Sequence, residues 1–129
     1  MEKSDFVGKI KGEYTLEHIQ EILSEFKKIK IIVIGDTIID EYHFTVPKGR
    51  AIKDPIMSVD YLRHEVYAGG ILAIANHISN FVDEVKCVTA LGDREDRKDF
   101  VTGAMNKNVE LKFFTKDNSP TTVKKRYLN

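Results

Sequence analysis

Two aspartates four residues apart, Asp36 and Asp40, close the segment "KIIVIGDTIID". If the apolar run before them is a buried strand of an open α/β sheet, both carboxylates stand at its C-terminal end, where such sheets bind ligands. A carboxylate there can accept hydrogen bonds from two neighbouring hydroxyls of a polyol. The plainer alternative is a turn-capping Asp36 and a solvated Asp40. Gly69 and Gly70 stand side by side before the helical pattern "ILAIANHI". They either relieve a tight turn or let backbone N–H groups at a helix N-terminus approach a ligand's oxygen atoms. Lys124 and Arg126 alternate with Lys125 and so share one face of a strand. Two cations on one face suit a phosphate, and equally a charged, solvated edge. Asn76 and His77 lie on the polar side of the helix after the glycines. His64-Glu65 begins an H-E-x-x-H pattern, but position 68 is Ala, so the second ligand is missing and no metal site is expected. Cys87, the only cysteine, reads as a small core residue.

The composition narrows the classes. In 129 residues, 42% are apolar and 31% charged, which suits one packed domain rather than a disordered chain. Lys plus Arg number 20 and Asp plus Glu number 20, so no global basic field favours nucleic acid or an acidic membrane. No apolar run approaches the ~18 residues of a membrane span. The opening "MEKSDFVGKIKGEY" lacks the apolar core of a signal peptide. A cytoplasmic chain with no nucleic-acid or membrane partner is expected. There is no G-x-G-x-x-G fingerprint and no phosphate loop, which argues against a nicotinamide-dependent dehydrogenase.

These residues need elements to hold them. Residues 1 to 14 are polar and read as a loose arm. Thr15 is a candidate N-cap for an amphipathic helix carrying Leu16, Ile19, Ile22, Leu23 and Phe26. The run 30 to 36 reads as a strand buried on both faces. Residues 41 to 66, with Tyr42, Phe44 and Val46 alternating and Pro47, Gly49 and Pro55 as punctuation, read as a small, half-exposed β excursion away from the main sheet. A helix follows with Ile71, Ile74, Ala75, Ile78, Phe81 and Val82 on its apolar face. Residues 84 to 92 form a strand, and Asp93 with Asp96 should cap the next helix, whose core face is Phe100, Val101, Ala104 and Met105. "VELKFFT" is a strand, "KDNSP" a turn and "TTVKKRYLN" a last strand. The order predicts an α/β fold with a mostly parallel sheet.

The succession "VIGDTIIDEY", "GRAIKDP", "AGGILAIANHI", "VTALGDREDRKDF" and "SPTTVKKRY" resembles the N-terminal half of ribokinase-like carbohydrate kinases, the PfkB family. Within that family it is most similar to the kinase part of bifunctional heptose-phosphate kinase/nucleotidyltransferases. The resemblance spans residues 29 to 129, after an N-terminal arm and helix at 1 to 28. It rests on order and spacing rather than on one motif. It implies a ribokinase-like sheet with flanking helices and a β lid at about 41–66 that closes over the sugar and mediates a homodimer. Asp40 matches the family's aspartate to sugar hydroxyls, Gly69 and Gly70 its di-glycine hinge and ligand floor, and Lys124 and Arg126 a basic strand facing a substrate phosphate.

In the intact protein the resemblance implies transfer of the γ-phosphoryl of ATP, with Mg2+, to a hydroxyl of a sugar or sugar phosphate. Two departures follow. The family's asparagine three residues after the second glycine is Ala73 here, so Asn76 is expected to supply the missing sugar contact. The D-T-x-G-A-G-D-like motif, which carries the family's catalytic aspartate and anion hole, is absent. No catalytic residue is therefore expected within these 129 residues, and the chain is expected to be inactive alone, a fragment of a kinase. The alternative is a non-catalytic ribokinase-like module for dimerisation or ligand sensing.

Overall fold

A computed structural model describes residues 3 to 129. Its elements, in chain order, are α1 (Lys3–Glu13), α2 (Leu16–Phe26), β1 (Lys30–Arg50), β2 (Met57–Gly70), α3 (Ile71–Ile78), β3 (Glu84–Arg94), α4 (Lys98–Gly103), β4 (Val109–Pro120) and β5 (Val123–Leu128). The β-branched runs of β1, β3 and β4 pair in parallel, with β1 beside β3 and β3 beside β4. The architecture is α/β: a mostly parallel sheet with flanking helices and a β1–β2 hairpin that extends from it.

β1 is 21 residues long and changes partners midway. From Lys30 to Asp36 it pairs with β3. From Thr37 onward it pairs antiparallel with β2, and over Ile39 to Phe44 it also pairs in parallel with β5. The excursion expected at 41–66 is thus the distal part of a hairpin that grows from the main sheet without a break, not a separate piece. Alternation alone cannot show this, because the period of two is the same in both halves of β1.

Three other readings are corrected. Residues 1 to 14, read as a loose arm, contain helix α1; residues 1 and 2 lie outside the described part. The strand at 30–36 is covered on one face only. Ile31 and Val33 pack toward α3, whereas Ile32 and Ile34 on the other face are 63% and 75% exposed. Asp93 caps no helix. Its carboxylate accepts the backbone N–H groups of Asn118 and Ser119 at 2.8 and 3.0 Å, which hold its pKa below the usual aspartate range. It therefore ties the expected "KDNSP" turn, which here extends β4, to the end of β3. At the start of α4 only Asp96 serves, accepting from Lys98 N at 3.1 Å. Thr15 does cap α2, accepting from His18 N at 3.2 Å.

The core lies between the parallel strands and helices α3 and α4. Leu72, Ala75, Val82, Val85, Cys87, Leu91 and Val101 are buried there. Leu72 was not among the residues expected on the core face, and Ile74 and Phe81, which were, are 50% and 46% exposed. The helix begins directly at Ile71, so its inner stripe is 71, 72, 75, 78 and leaves 74 on the flank. Leu72→Ala should remove about 2–5 kcal/mol of stability through the cavity left behind. Urea unfolding should show this as a lower midpoint with an unchanged slope.

Candidate functional site

β1 leaves its parallel partner β3 at Asp36 and continues into the hairpin, so Asp40 stands just past the C-terminal edge of the parallel sheet. Asp36 lies within β1 rather than in a turn. On the face of Asp40, strand alternation brings Tyr42 and Phe44 from β1 together with Glu65 and Tyr67 from β2. These five residues line an open cleft of about 330 Å³.

The glycine pair lies next to it, with Gly69 against Asp40. Gly69 stands opposite Ile38 in the β1–β2 register and Gly70 opposite Thr37. Oδ2 of Asp40 lies against Gly69 in the space that any Cβ would fill, and the Ile38 carbonyl would be 3.1 Å from such a Cβ. Gly70 has φ +58 and ψ −133 and gives α3 no side-chain cap. The carboxylate, the glycine backbone and the start of α3 thus meet at one place. Oδ1 of Asp40 accepts a charge-assisted hydrogen bond from the Arg126 guanidinium of β5. Arg126 is opposite Tyr42 in register and its guanidinium lies 4.9 Å from that ring's centroid.

Further out, Tyr67 meets Tyr42 edge-on at 5.8 Å and donates its hydroxyl to Glu65 Oε2 at 2.6 Å. Arg63 also pairs with Glu65 and lies 3.9 Å over the Phe44 ring. The Tyr67 hydroxyl, and next the Arg63 guanidinium, lower the pKa of Glu65, and Glu65 in turn raises that of Tyr67. Sequence reading singled out Asp40, Gly69, Gly70 and Arg126, which meet here. Lys124, opposite Asp40 in register, is exposed and has no ion-pair partner among the described residues. Reading missed the wall of Tyr42, Phe44, Glu65 and Tyr67. Its only trace is alternation in two segments whose pairing is not visible until the hairpin register is known.

Asn76, from which a sugar contact was expected, does not line the Asp40 cleft and has a structural task. Its Nδ2 donates to the Ala104 carbonyl at 2.8 Å and its Oδ1 accepts from Asn106 N at 2.9 Å, pinning α3 to the connection after α4. These bonds use one of its two N–H donors and one lone pair of its oxygen to join the two segments.

The opposite face of the hairpin is also polar. Glu41 is buried, accepts from His43 Nε2 at 3.0 Å and lies 3.6 Å from Lys125 Nζ. The His43 hydrogen bond is the largest cause of its lowered pKa, with Lys125 helping and burial opposing. A depressed folded-state pKa contributes stability that is fully present above the ordinary glutamate value of about 4.3 and is lost as the pH falls from there through the folded value. Glu41→Gln should therefore flatten the acid limb of a plot of stability against pH, measured by urea unfolding at a series of pH values.

The geometry so far defines an α/β unit in which a carboxylate and a glycine backbone meet at the root of the β1–β2 hairpin. Comparison with known proteins agrees. No protein-family model matches the chain. The chain is 29% identical over 108 residues to the bifunctional protein HldE of Shewanella denitrificans, covering 83% of this chain and 22% of that protein. It is 28% identical over 114 residues to the HldE of Shewanella piezotolerans, covering 86% of this chain and 23% of the relative. The chain therefore spans about a fifth of the length of the curated relatives it matches. Among solved structures, a candidate ribokinase from Agrobacterium tumefaciens superposes with a TM-score of 0.50 at 11% identity, over 76% of this chain and 31% of that one, which supports the fold. Among the described residues no helix is long and apolar enough to cross a membrane.

Proposed function

We propose that residues 29 to 129 are the sugar-binding, lid-bearing portion of an ATP-dependent kinase acting on a sugar or sugar phosphate. The observation that carries this reading is the Asp40 carboxylate seated on Gly69 at the C-terminal edge of the parallel sheet. Asp40 Oδ2 accepts from sugar hydroxyls, and the Gly69–Gly70 backbone approaches the ring where no side chain intervenes. The hairpin closes over the sugar and excludes water, and Tyr42 and Tyr67 form the wall against its apolar face. Lys124 stands ready for an anionic substituent. The names of the relatives, bifunctional HldE proteins and a candidate ribokinase, support a kinase.

Among the described residues no group of three His, Cys, Asp or Glu side chains fits a metal ion. We assign ATP, its Mg2+ and the base that activates the acceptor hydroxyl to residues outside this chain on the family resemblance, the chain spanning 22% of the first relative. When bound, they supply and stabilise the transferred phosphoryl group. The reaction belongs in the cytoplasm, with ATP. We also propose a homodimer through the lid, since Val46, Met57, Val59, Tyr61 and Leu62 leave an apolar surface exposed on the hairpin. Sedimentation should give a dimer, and a monomer at high concentration would refute that part.

The test is phosphoryl transfer from labelled ATP to a sugar panel. The 129-residue chain alone should show no turnover, and a protein containing it should phosphorylate one class of sugar. Turnover by the chain alone would contradict the division of labour. Sugar binding without transfer in any longer protein would favour a sensing module instead. Lys124→Met should weaken a phosphorylated substrate by about tenfold, the weight of one charge-assisted hydrogen bond, and more than its unphosphorylated counterpart.

A further inference from the structure

The Asp40 carboxylate is held from two sides. Arg126 binds Oδ1, while Oδ2 rests on Gly69. Arg126 is itself fixed, with its guanidinium over the Tyr42 ring and its side chain 33% exposed. We propose that Arg126 is a positioning residue. It acts through Asp40, turning the carboxylate so that Oδ2 faces the sugar, and it does not itself meet a phosphate of the substrate. This rests on the sugar-site reading above and divides the two cations of β5: Arg126 serves the carboxylate, and Lys124 is the one left for an anion.

The side-chain chemistry fits that division. A guanidinium is planar and can stack flat on an aromatic ring while its edge bonds a carboxylate; an ammonium, a point charge without a planar face, cannot reproduce that stacked geometry. An arginine already paired with a carboxylate has most of its charge compensated locally. To grip a phosphate it would have to abandon Asp40 and leave that partly buried carboxylate without its donor. Lys124 carries no such debt.

Two measurements on the 129-residue chain test this. The first needs no ligand. In ¹⁵N spectra, pairing with Asp40 should slow rotation of the Arg126 guanidinium and resolve its Nη signals, and Asp40→Asn should merge them. Signals already merged in the unaltered chain would overturn the proposal.

The second compares affinities of the unaltered chain, Asp40→Asn, Arg126→Met and the double variant for the tightest neutral sugar among D-ribose, D-fructose and D-mannose. Each single change should weaken binding about tenfold, and the double no more than Asp40→Asn alone, because Arg126 works only through Asp40. Arg126→Lys, which keeps the charge, should recover less than about a third of the loss. Losses that multiply would mean that Arg126 touches the sugar itself, and the inference alone would fall. An unchanged affinity in Asp40→Asn, or no binding of any sugar, would sink the sugar-site reading and the inference with it.

Discussion

Gly70→Ala should lower the melting temperature of the chain by about 10 °C, corresponding to roughly 3 kcal/mol. At φ +58 and ψ −133 the backbone occupies a region that only glycine reaches without strain. An added Cβ would also stand 2.7 Å from the Asp36 carbonyl and 3.1 Å from Ile38 Cγ1. The first of these neighbours is backbone of β1 within a paired region, so neither the strain nor the clash can relax without opening the β1–β2 ladder at Thr37. Thermal unfolding followed by circular dichroism reads the effect directly. A fall of less than 2 °C or so would mean that the turn between β2 and α3 is not built as described.

Gly69→Ala should act differently. Gly69 has no positive φ, so the backbone tolerates alanine, but the new methyl would take the place of Asp40 Oδ2. The carboxylate must rotate away, and it loses the sugar hydroxyls it would otherwise hold. Two hydrogen bonds to a charged group are worth enough together to weaken sugar binding by about 100-fold. Calorimetric titration would show it, and the loss should match that of Asp40→Ala. If Gly69→Ala bound sugar normally, the seat of Asp40 on the glycine would have no role in recognition.

The two predictions give the neighbouring glycines separate duties, one in folding and one in the proposed site. That separation was not legible in the sequence, where the pair reads as a turn, a ligand floor or both. Which reading applies depends on what lies opposite, and only the hairpin register places Ile38 and Asp40 there. The parallel strands and the amphipathic helices α2 and α3 were legible from apolar periodicity, although the apolar stripe of α2 is exposed among the described residues. The double-sided apolar run at 30–36 was legible as well, but the described residues supply a layer for one face only. Asn76 misled for a physical reason: a polar residue on a helix flank looks the same in sequence whether it meets solvent, a ligand or a neighbouring loop. Asp93 misled similarly. Its position before a helix suits a cap, while its carboxylate instead finds two backbone donors 25 and 26 residues on.

The most direct test of the central claim is an amide NMR titration of the 129-residue chain with the neutral sugars named above. The account predicts saturable shifts clustered at Ile38, Asp40, Tyr42, Tyr67, Gly69 and Gly70, with a midpoint that rises about tenfold in Asp40→Asn. A midpoint unchanged in Asp40→Asn, or shifts that cluster on the opposite face around Glu41, Arg97 and Lys125, would contradict it.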